Sequence, residues 1–293
     1  MWVILSILAA LFWAVVNIVD KYILTKWIRK PPIPVIILGI VGLIVSIAIY
    51  FIYGFSPLSS FNIFLALIAG ILYILMSVFY FRALKLEEVS RVTPLFYLSP
   101  LFILFFATIF LGEIFTPFKY LGIFLLVVGA ILISLKNLSK ISFSKAFRWM
   151  MLSVIAISIN QLLTKHLLNF ADYWTIFAYI RIGGIIGIIP IAYIYFPELI
   201  KTVRKHGKRV VAVISINEVL NLLAVLFITI AVSTSYVTLA NALSSVQPFF
   251  VLLFTVILSL FFPSILKEKI SKSIIFLKLL AIILMFVGVI LII

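Results

Sequence analysis

The segment Val210–Val232 reads VVAVISINEVLNLLAVLFITIAV and sets the interpretation of the whole chain. It is long enough to cross a bilayer as an α-helix, which takes about 20 residues, yet it carries Asn217, Glu218 and Asn221 near its middle. A charged side chain at the centre of a bilayer costs about 2.5–3.5 kcal/mol on insertion scales, so such residues usually face a protein interior or a water-filled cavity. The segment therefore predicts a membrane helix with a buried polar face.

The composition of the chain excludes an ordinary soluble domain. Hydrophobic residues make up 66% of it, charged residues 11%, and the mean hydropathy is +1.38, whereas soluble domains are about half apolar and a quarter charged. Lys and Arg in cytoplasmic loops explain the formal charge of +15 better than nucleic-acid binding does, because no soluble basic domain is present. The absence of cysteine excludes disulfides and thiolate metal sites.

Ten apolar segments can be marked along the chain, separated by short stretches rich in turn-forming and charged residues. Because the backbone must satisfy its own hydrogen bonds in hydrocarbon, we expect each segment to be a helix. The predicted spans are 2–24, 34–53, 61–84, 91–111, 117–135, 149–168, 173–196, 209–232, 236–262 and 274–293.

The two halves of the sequence resemble each other in the same order. Val15–Leu24 lines up with Ile159–Leu168, Leu38–Tyr50 with Ile182–Ile194, Lys119–Ile133 with Lys278–Ile292, and Pro100 with Pro248. We therefore predict two five-helix repeats, at 1–138 and 149–293. Because five is odd, the second repeat enters the membrane in the opposite sense, and the predicted fold is an all-α membrane protein with ten transmembrane helices in an inverted repeat.

One region resembles a known transporter family. Val89–Ile133, with Pro100 followed by Glu113 and then a glycine-containing span, is similar to the fourth and fifth spans of the EamA-type transporters of the drug/metabolite transporter superfamily, and Leu8–Tyr22 resembles their first span. The resemblance implies a transporter with both termini in the cytoplasm. Phe261 stands where the second repeat would place a counterpart of Glu113.

The charge distribution predicts the opposite orientation. Lys and Arg cluster in the loops that follow the odd-numbered spans, and only Lys119 and Lys165 belong to the other side. The positive-inside rule then places both termini outside. We follow the charges here.

The candidate site combines the polar residues that lie deep in the predicted spans. Glu218 and Asn221 share one helix face and are expected to line a central cavity, with a purely structural, hydrogen-bonded Glu218 as the alternative. Arg181 either binds an anionic group, pairs with Glu218, or lies near the headgroups, and Tyr80 either lines the pocket or packs. The predicted substrate-binding residues are Glu218, Asn221, Asn217, Asn160, Gln247, Asn241, Arg181 and Tyr80.

These features predict a secondary active transporter of a small organic solute such as a metabolite, amino acid or drug-like compound. It would work by alternating access in the cell membrane, with a proton as candidate coupling ion. Its expected partners are that solute and membrane lipids, with no nucleic acid. The alternative is a flippase or subunit for a lipid-linked substrate. No enzyme motif and no metal or cofactor motif is found. Asp20, beside Lys21 near the end of span one, is expected at the interface.

Overall fold

The computed structural model describes residues 1–28, 30, 32–86, 95–134, 145–261 and 272–293, and every regular element within these residues is helical. Long apolar runs with few glycines and prolines favour helices, whose backbone groups pair internally. The helices are α1 (Trp2–Lys26), α2 (Ile33–Tyr53), α3 (Ser60–Leu86), α4 (Ser99–Leu111), α5 (Pro117–Ser134), α6 (Lys145–Leu167), α7 (Tyr173–His206), α8 (Lys208–Ser233), α9 (Val237–Ser244), α10 (Gln247–Phe261) and α11 (Lys272–Ile292).

Seven helical segments in this part of the chain are long and apolar enough to cross a membrane: α1, α2, α3, α6, α7, α8, and the α9–α10 pair taken together. The helices α4, α5 and α11 are shorter but also apolar. The predicted all-helical, multi-pass membrane architecture is confirmed at this level, and the described part of each predicted span is helical apart from single residues at span ends and the turns at 97–98 and 245–246.

The predicted ninth span differs from expectation because it is broken into α9 and α10 at Ser245 and Val246. A proline lacks an N–H and its ring clashes with the carbonyl four residues earlier, so Pro248 interrupts the helix. The chain continues through turns closed by hydrogen bonds between residues three apart. Val246 N donates to Leu243 O at 3.2 Å, and Phe249 N donates to Val246 O at 3.0 Å.

The same break occurs ahead of α4, next to Pro100. Tyr97 and Leu98 form a turn, Leu98 N donates to Leu95 O at 3.2 Å, and Leu101 N donates to Leu98 O at 3.0 Å. These bonds occupy the positions that the sequence alignment of the halves pairs with those at the α9–α10 break. Each break is thus encoded by a proline at the corresponding position.

The helices of residues 1–134 interleave with those of residues 145–293. Helix α3 packs most extensively on α6 and α7, α2 on α7, α1 on α8, and α5 on α11. The largest apolar core lies among α1, α2, α3, α6, α7 and α8, and a separate core joins α5 and α11 with α9 and the turn at Tyr97. The most extensive contacts in the fold therefore join one part of the chain to the other.

Small residues bring α3 and α7 into backbone contact. A Cβ atom added to Gly183 would lie 2.3 Å from Leu67 O, and one added to Gly70 would lie 2.1 Å from Ile180 O. No side chain fits at either place, so the two helix backbones touch. The GxxxG spacing at Gly183–Gly187 thus serves close helix packing.

Gly183→Ala is expected to destabilise the protein by about 1–3 kcal/mol, the usual range for overpacking a filled interior. Gly184→Ala is the matched control, because its added Cβ would meet Ile74 at an ordinary 3.6 Å. Thermal unfolding in detergent, followed by intrinsic fluorescence, compares the two variants with the wild-type protein. Equal melting temperatures for the two variants would contradict the close-packing argument.

The connections between helices meet at two opposite ends of the molecule. At one end, Asp172 caps the N-terminus of α7 and accepts a hydrogen bond from Ser56 in the α2–α3 loop. Partial burial raises the pKa of Asp172, but its hydrogen bonds outweigh that effect and leave the pKa below its ordinary value. At the other end, Glu198 lies 3.6 Å from Lys30 and 3.4 Å from Lys201. These exposed ion pairs contribute little stability.

Orientation in the membrane can be tested with single cysteines, since the chain has none of its own. The positive-inside rule predicts that a cysteine at Asn169, in the α6–α7 loop, reacts with an impermeant thiol reagent added outside intact cells. A cysteine at Lys205, near the end of α7, should react only after permeabilisation. Both positions are exposed. The reverse labelling pattern would instead support the orientation that the family resemblance implies.

Candidate functional site

A central cavity of about 160 Å³ lies where helices from both parts of the chain meet. Its wall alternates polar groups with aromatic rings, as is typical of small-molecule sites. The lining side chains used below are Trp13, Asp20, Tyr73, Tyr80, Phe81, Phe96, Tyr97, Asn160, Gln161, Glu218, Asn221, Asn241 and Gln247. They come from α1, α3, α6, α8, α9, α10 and the turn before α4.

Glu218 lies at the centre of a hydrogen-bonded group on α8. Its Oε2 accepts from Asn221 Nδ2 at 3.1 Å, as expected for residues one helical turn apart. Asn221 Oδ1 accepts from Trp13 Nε1 on α1 at 3.1 Å, and Asn221 Nδ2 also donates to the Tyr73 hydroxyl on α3 at 3.2 Å. Asn221 thus fixes Glu218 relative to two other helices.

Asp20 provides a second carboxyl group in the same cavity, which corrects its expected place at the membrane interface. Its Oδ1 accepts from Asn217 Nδ2 at 2.7 Å. Asp20 lies roughly 9 Å inside the end of α1 at Lys26, and its hydrogen bond with Asn217 on α8 holds the side chain at the cavity.

Several polar groups in the cavity wall have no protein partner. Glu218 is only 5% exposed, and its Oε1 accepts no hydrogen bond from the described residues. Gln161 and Gln247 are 7% and 9% exposed and line the same cavity without a hydrogen bond to any residue that the structure describes. Buried polar groups are normally paired, so this arrangement fits a site for a polar ligand.

Arg181 does not line the cavity, and the structure brings it together with aromatic rings instead of with Glu218. It is 5% exposed, and its guanidinium carbon lies 4.3 Å from the ring centroid of Tyr73 and 5.2 Å from that of Phe177. Cation–π contact of this kind stabilises a desolvated guanidinium. Tyr73 thus separates the positive charge from the cavity, and no Lys, Arg or His belongs to the described lining.

The other predicted residues fall into two groups. Asn160, Asn241, Gln247 and Tyr80 line the cavity. Asn160 Nδ2 donates to Ala69 O at 2.7 Å, so its amide also ties α6 to α3. Asn217 is buried behind the wall, where it orients Asp20. Gln161, which the sequence analysis did not select, follows Asn160 on α6 and could have been found from the same helical periodicity.

At the end of the molecule that holds the α6–α7 loop, two charged side chains hold the segment between α8 and α9. Glu113 Oε1 and Oε2 accept from Val237 N at 2.8 Å and Thr238 N at 3.2 Å, which satisfies free N–H groups in the first turn of α9. Lys165 Nζ donates to Val232 O at 2.9 Å and Ser235 O at 2.6 Å. The motif residue Glu113 therefore has a helix-capping role.

Asn221→Ala should lower the free energy of unfolding by about 1–3 kcal/mol, because it leaves the buried Glu218 carboxyl and the Trp13 indole each without a partner. Asn169→Ala, at an exposed loop position, is the control and should shift stability by less than about 0.5 kcal/mol. Thermal unfolding in detergent gives both values. If the two variants have the same melting temperature, the hydrogen bonds of Asn221 do not stabilise the packing of the three helices.

Comparison with known proteins supports the fold and the sequence resemblance. A crystal structure of a protein superimposes over 99% of this chain and 96% of its own, with a TM-score of 0.72 and 16% identity, which shows a shared fold. An uncharacterised protein of Methanocaldococcus jannaschii is 29% identical over 136 residues, which are 46% of this chain and 97% of that protein. An uncharacterised transporter from the cobO 3′ region of a Sinorhizobium species is 42% identical over 55 residues, 19% of this chain and 39% of that protein.

The length of the relatives matches one predicted repeat. Since 136 residues are 97% of the first relative and 55 residues are 39% of the second, both are about half as long as this chain. The model of the EamA-like transporter family matches residues 1–135. The predicted resemblance is therefore confirmed: residues 1–135 of this chain are similar to the EamA-like transporter family.

Proposed function

We propose that the chain moves a small solute across its membrane by alternating access through the central cavity. The observation that carries this proposal is the cavity itself, which is enclosed by membrane helices and lined by buried polar side chains without partners. In a membrane interior such groups are costly and usually mark a substrate or ion pathway. The EamA-like sequence of residues 1–135 supports the same function.

The arrangement of helices supports an inverted repeat. If α1–α5 correspond to α6–α11, with α9 and α10 counted together, the contact of α1 with α8 corresponds to that of α6 with α3, and both are extensive. The contacts of α2 with α7 and of α5 with α11 each join a helix to its own counterpart, so exchanging the two parts leaves these contacts in place. The matching breaks at Tyr97–Leu98 and Ser245–Val246 fit the same correspondence. Inverted repeats are common in secondary transporters, with the site between repeats.

The interleaved packing defines which parts could move. The sequence halves share their most extensive contacts, so they cannot separate as rigid bodies. A division with less shared packing places α4, α5, α9, α10 and α11 on one side and the other six helices on the opposite side. The two helix breaks border the cavity on the α4 and α9–α10 side. We infer that alternating access moves this smaller group against the larger one.

Proton coupling follows from the position of Glu218. The carboxyl is buried, lines the cavity and has no cationic partner within 4.0 Å among the residues that the structure describes, and a buried carboxylate without such a partner is costly to ionise. A proton taken up from one side and released to the other would then exchange with solute at the same place.

The test uses proteoliposomes with an internal pH dye and a panel of amino acids, amines and organic acids added outside. At least one solute should drive proton movement that depends on the protein. Glu218→Gln keeps the size of the side chain but cannot ionise, so solute-driven proton movement should fall at least about tenfold, while Glu198→Gln, at a half-buried position outside the cavity lining, leaves it unchanged. If no solute moves protons or is itself taken up, the transport proposal fails. Unchanged proton movement in Glu218→Gln would eliminate coupling at that residue.

A further inference from the structure

The charge pattern of the cavity indicates the class of its ligand. Asp20 on α1 and Glu218 on α8 both line it, while the described lining contains no Lys, Arg or His. The nearest buried cation is Arg181, which lies behind the Tyr73 ring with no carboxylate partner within 4.0 Å among the described residues. The cavity surface is therefore acidic or neutral, and a dissolved anion would meet carboxyl groups without a compensating positive charge.

Each carboxyl group keeps one oxygen free. Asp20 uses Oδ1 to accept from Asn217, and Glu218 uses Oε2 to accept from Asn221. The remaining oxygens accept no hydrogen bond from the residues that the structure describes, although Glu218 is only 5% exposed. An ionised carboxylate accepts hydrogen bonds and cannot donate them, whereas a protonated carboxyl carries a donor of its own. In the ionised form the partner of these oxygens must be a donor, and an ammonium group provides both the donors and the charge.

The rest of the wall suits an apolar, aromatic or alkyl body attached to that ammonium. Trp13, Tyr73, Tyr80 and Tyr97 lie around the cavity. Tyr80 and Phe96 meet edge to face, with ring centroids 6.0 Å apart. Aromatic faces attract cations, an effect that strengthens when water is excluded. The two unpartnered amides, Gln161 and Gln247, can bind a further polar group.

We propose that the solute is a small organic cation whose ammonium group binds between Asp20 and Glu218 against the aromatic wall. This inference rests on the proposed transport function and names its substrate class. Binding of one cation displaces one proton, which the two carboxyl groups hold between them when the cavity is empty. In this proposal Asp20 and Glu218 both contact the ammonium group directly.

The binding test uses three probes with the same ring and similar length but different charge: 2-phenylethylamine, 2-phenylethanol and phenylacetate. Isothermal titration into protein in nanodiscs, with empty nanodiscs as the blank for lipid partitioning, measures each affinity. The wild-type protein should bind the amine and neither of the other two. Asp20→Asn and Glu218→Gln should each weaken amine binding about tenfold or more, as expected for a hydrogen bond to a charged group. Glu198→Gln, at a half-buried position outside the cavity lining, should leave it unchanged.

A second measurement needs no variant and remains available if a cavity variant fails to fold. Protons compete with the amine for the same carboxyl groups, so binding to the wild-type protein should weaken from neutral to acidic pH. The other titratable groups facing the two carboxyls are Tyr73, Tyr80 and Tyr97, which are ordinarily neutral in this range, and Arg181 is ordinarily charged throughout it. Amine affinity that does not change with pH would overturn the proposal.

Three further results would overturn the proposal: no amine binding to the wild-type protein, equal or tighter binding of phenylacetate or phenylethanol, or unchanged amine affinity in both folded cavity variants. These results leave the transport function standing if another solute is taken up by proteoliposomes. Conversely, selective amine binding without uptake of any solute would support the cation site and overturn transport. The two proposals therefore fail separately.

Discussion

A polar group inside a membrane protein has no bulk water to satisfy it, so its partner must come from the protein, an ordered water or a ligand. This constraint organises the centre of the molecule. Asn221 satisfies one oxygen of Glu218 and at the same time bonds to Trp13 and Tyr73 on two other helices. The group that satisfies the buried carboxyl thereby also links α1, α3 and α8 by hydrogen bonds.

The same constraint explains the position of Arg181. A guanidinium buried to 5% exposure needs compensation, and here it is provided by the faces of Tyr73 and Phe177 at 4.3 and 5.2 Å. Because Tyr73 also borders the cavity, it contacts the Arg181 guanidinium and lines the cavity at the same time. Positive charge is kept close to the two acids without neutralising either through a direct ion pair.

The sequence indicated how deep each polar residue lies along its helix, but it gave less information about which neighbour its side chain faces. Glu218, Asn221 and Asn160 were placed at the cavity because polar residues in long apolar runs are costly and must face inward. Arg181 meets the same criterion but lies behind the wall, since depth along a helix does not tell which neighbour its side chain faces. Asp20 was misplaced because its partner, Asn217, lies on another helix, and sequence position near a span end does not show that contact. The break at Ser245–Val246 was missed as a helix end, although Pro248 beside it was visible in the sequence.

The interleaved contacts have a consequence for how such a fold can be assembled. In α1, α2 and α3, the faces that pack on α8, α7 and α6 would meet lipid if residues 1–135 stood alone. The close backbone contact between α3 and α7 at Gly70 and Gly183 would also be lost. Residues 1–134 are therefore not a self-contained packing unit, and joining them to residues 145–293 in one polypeptide supplies the two packing surfaces in equal amounts.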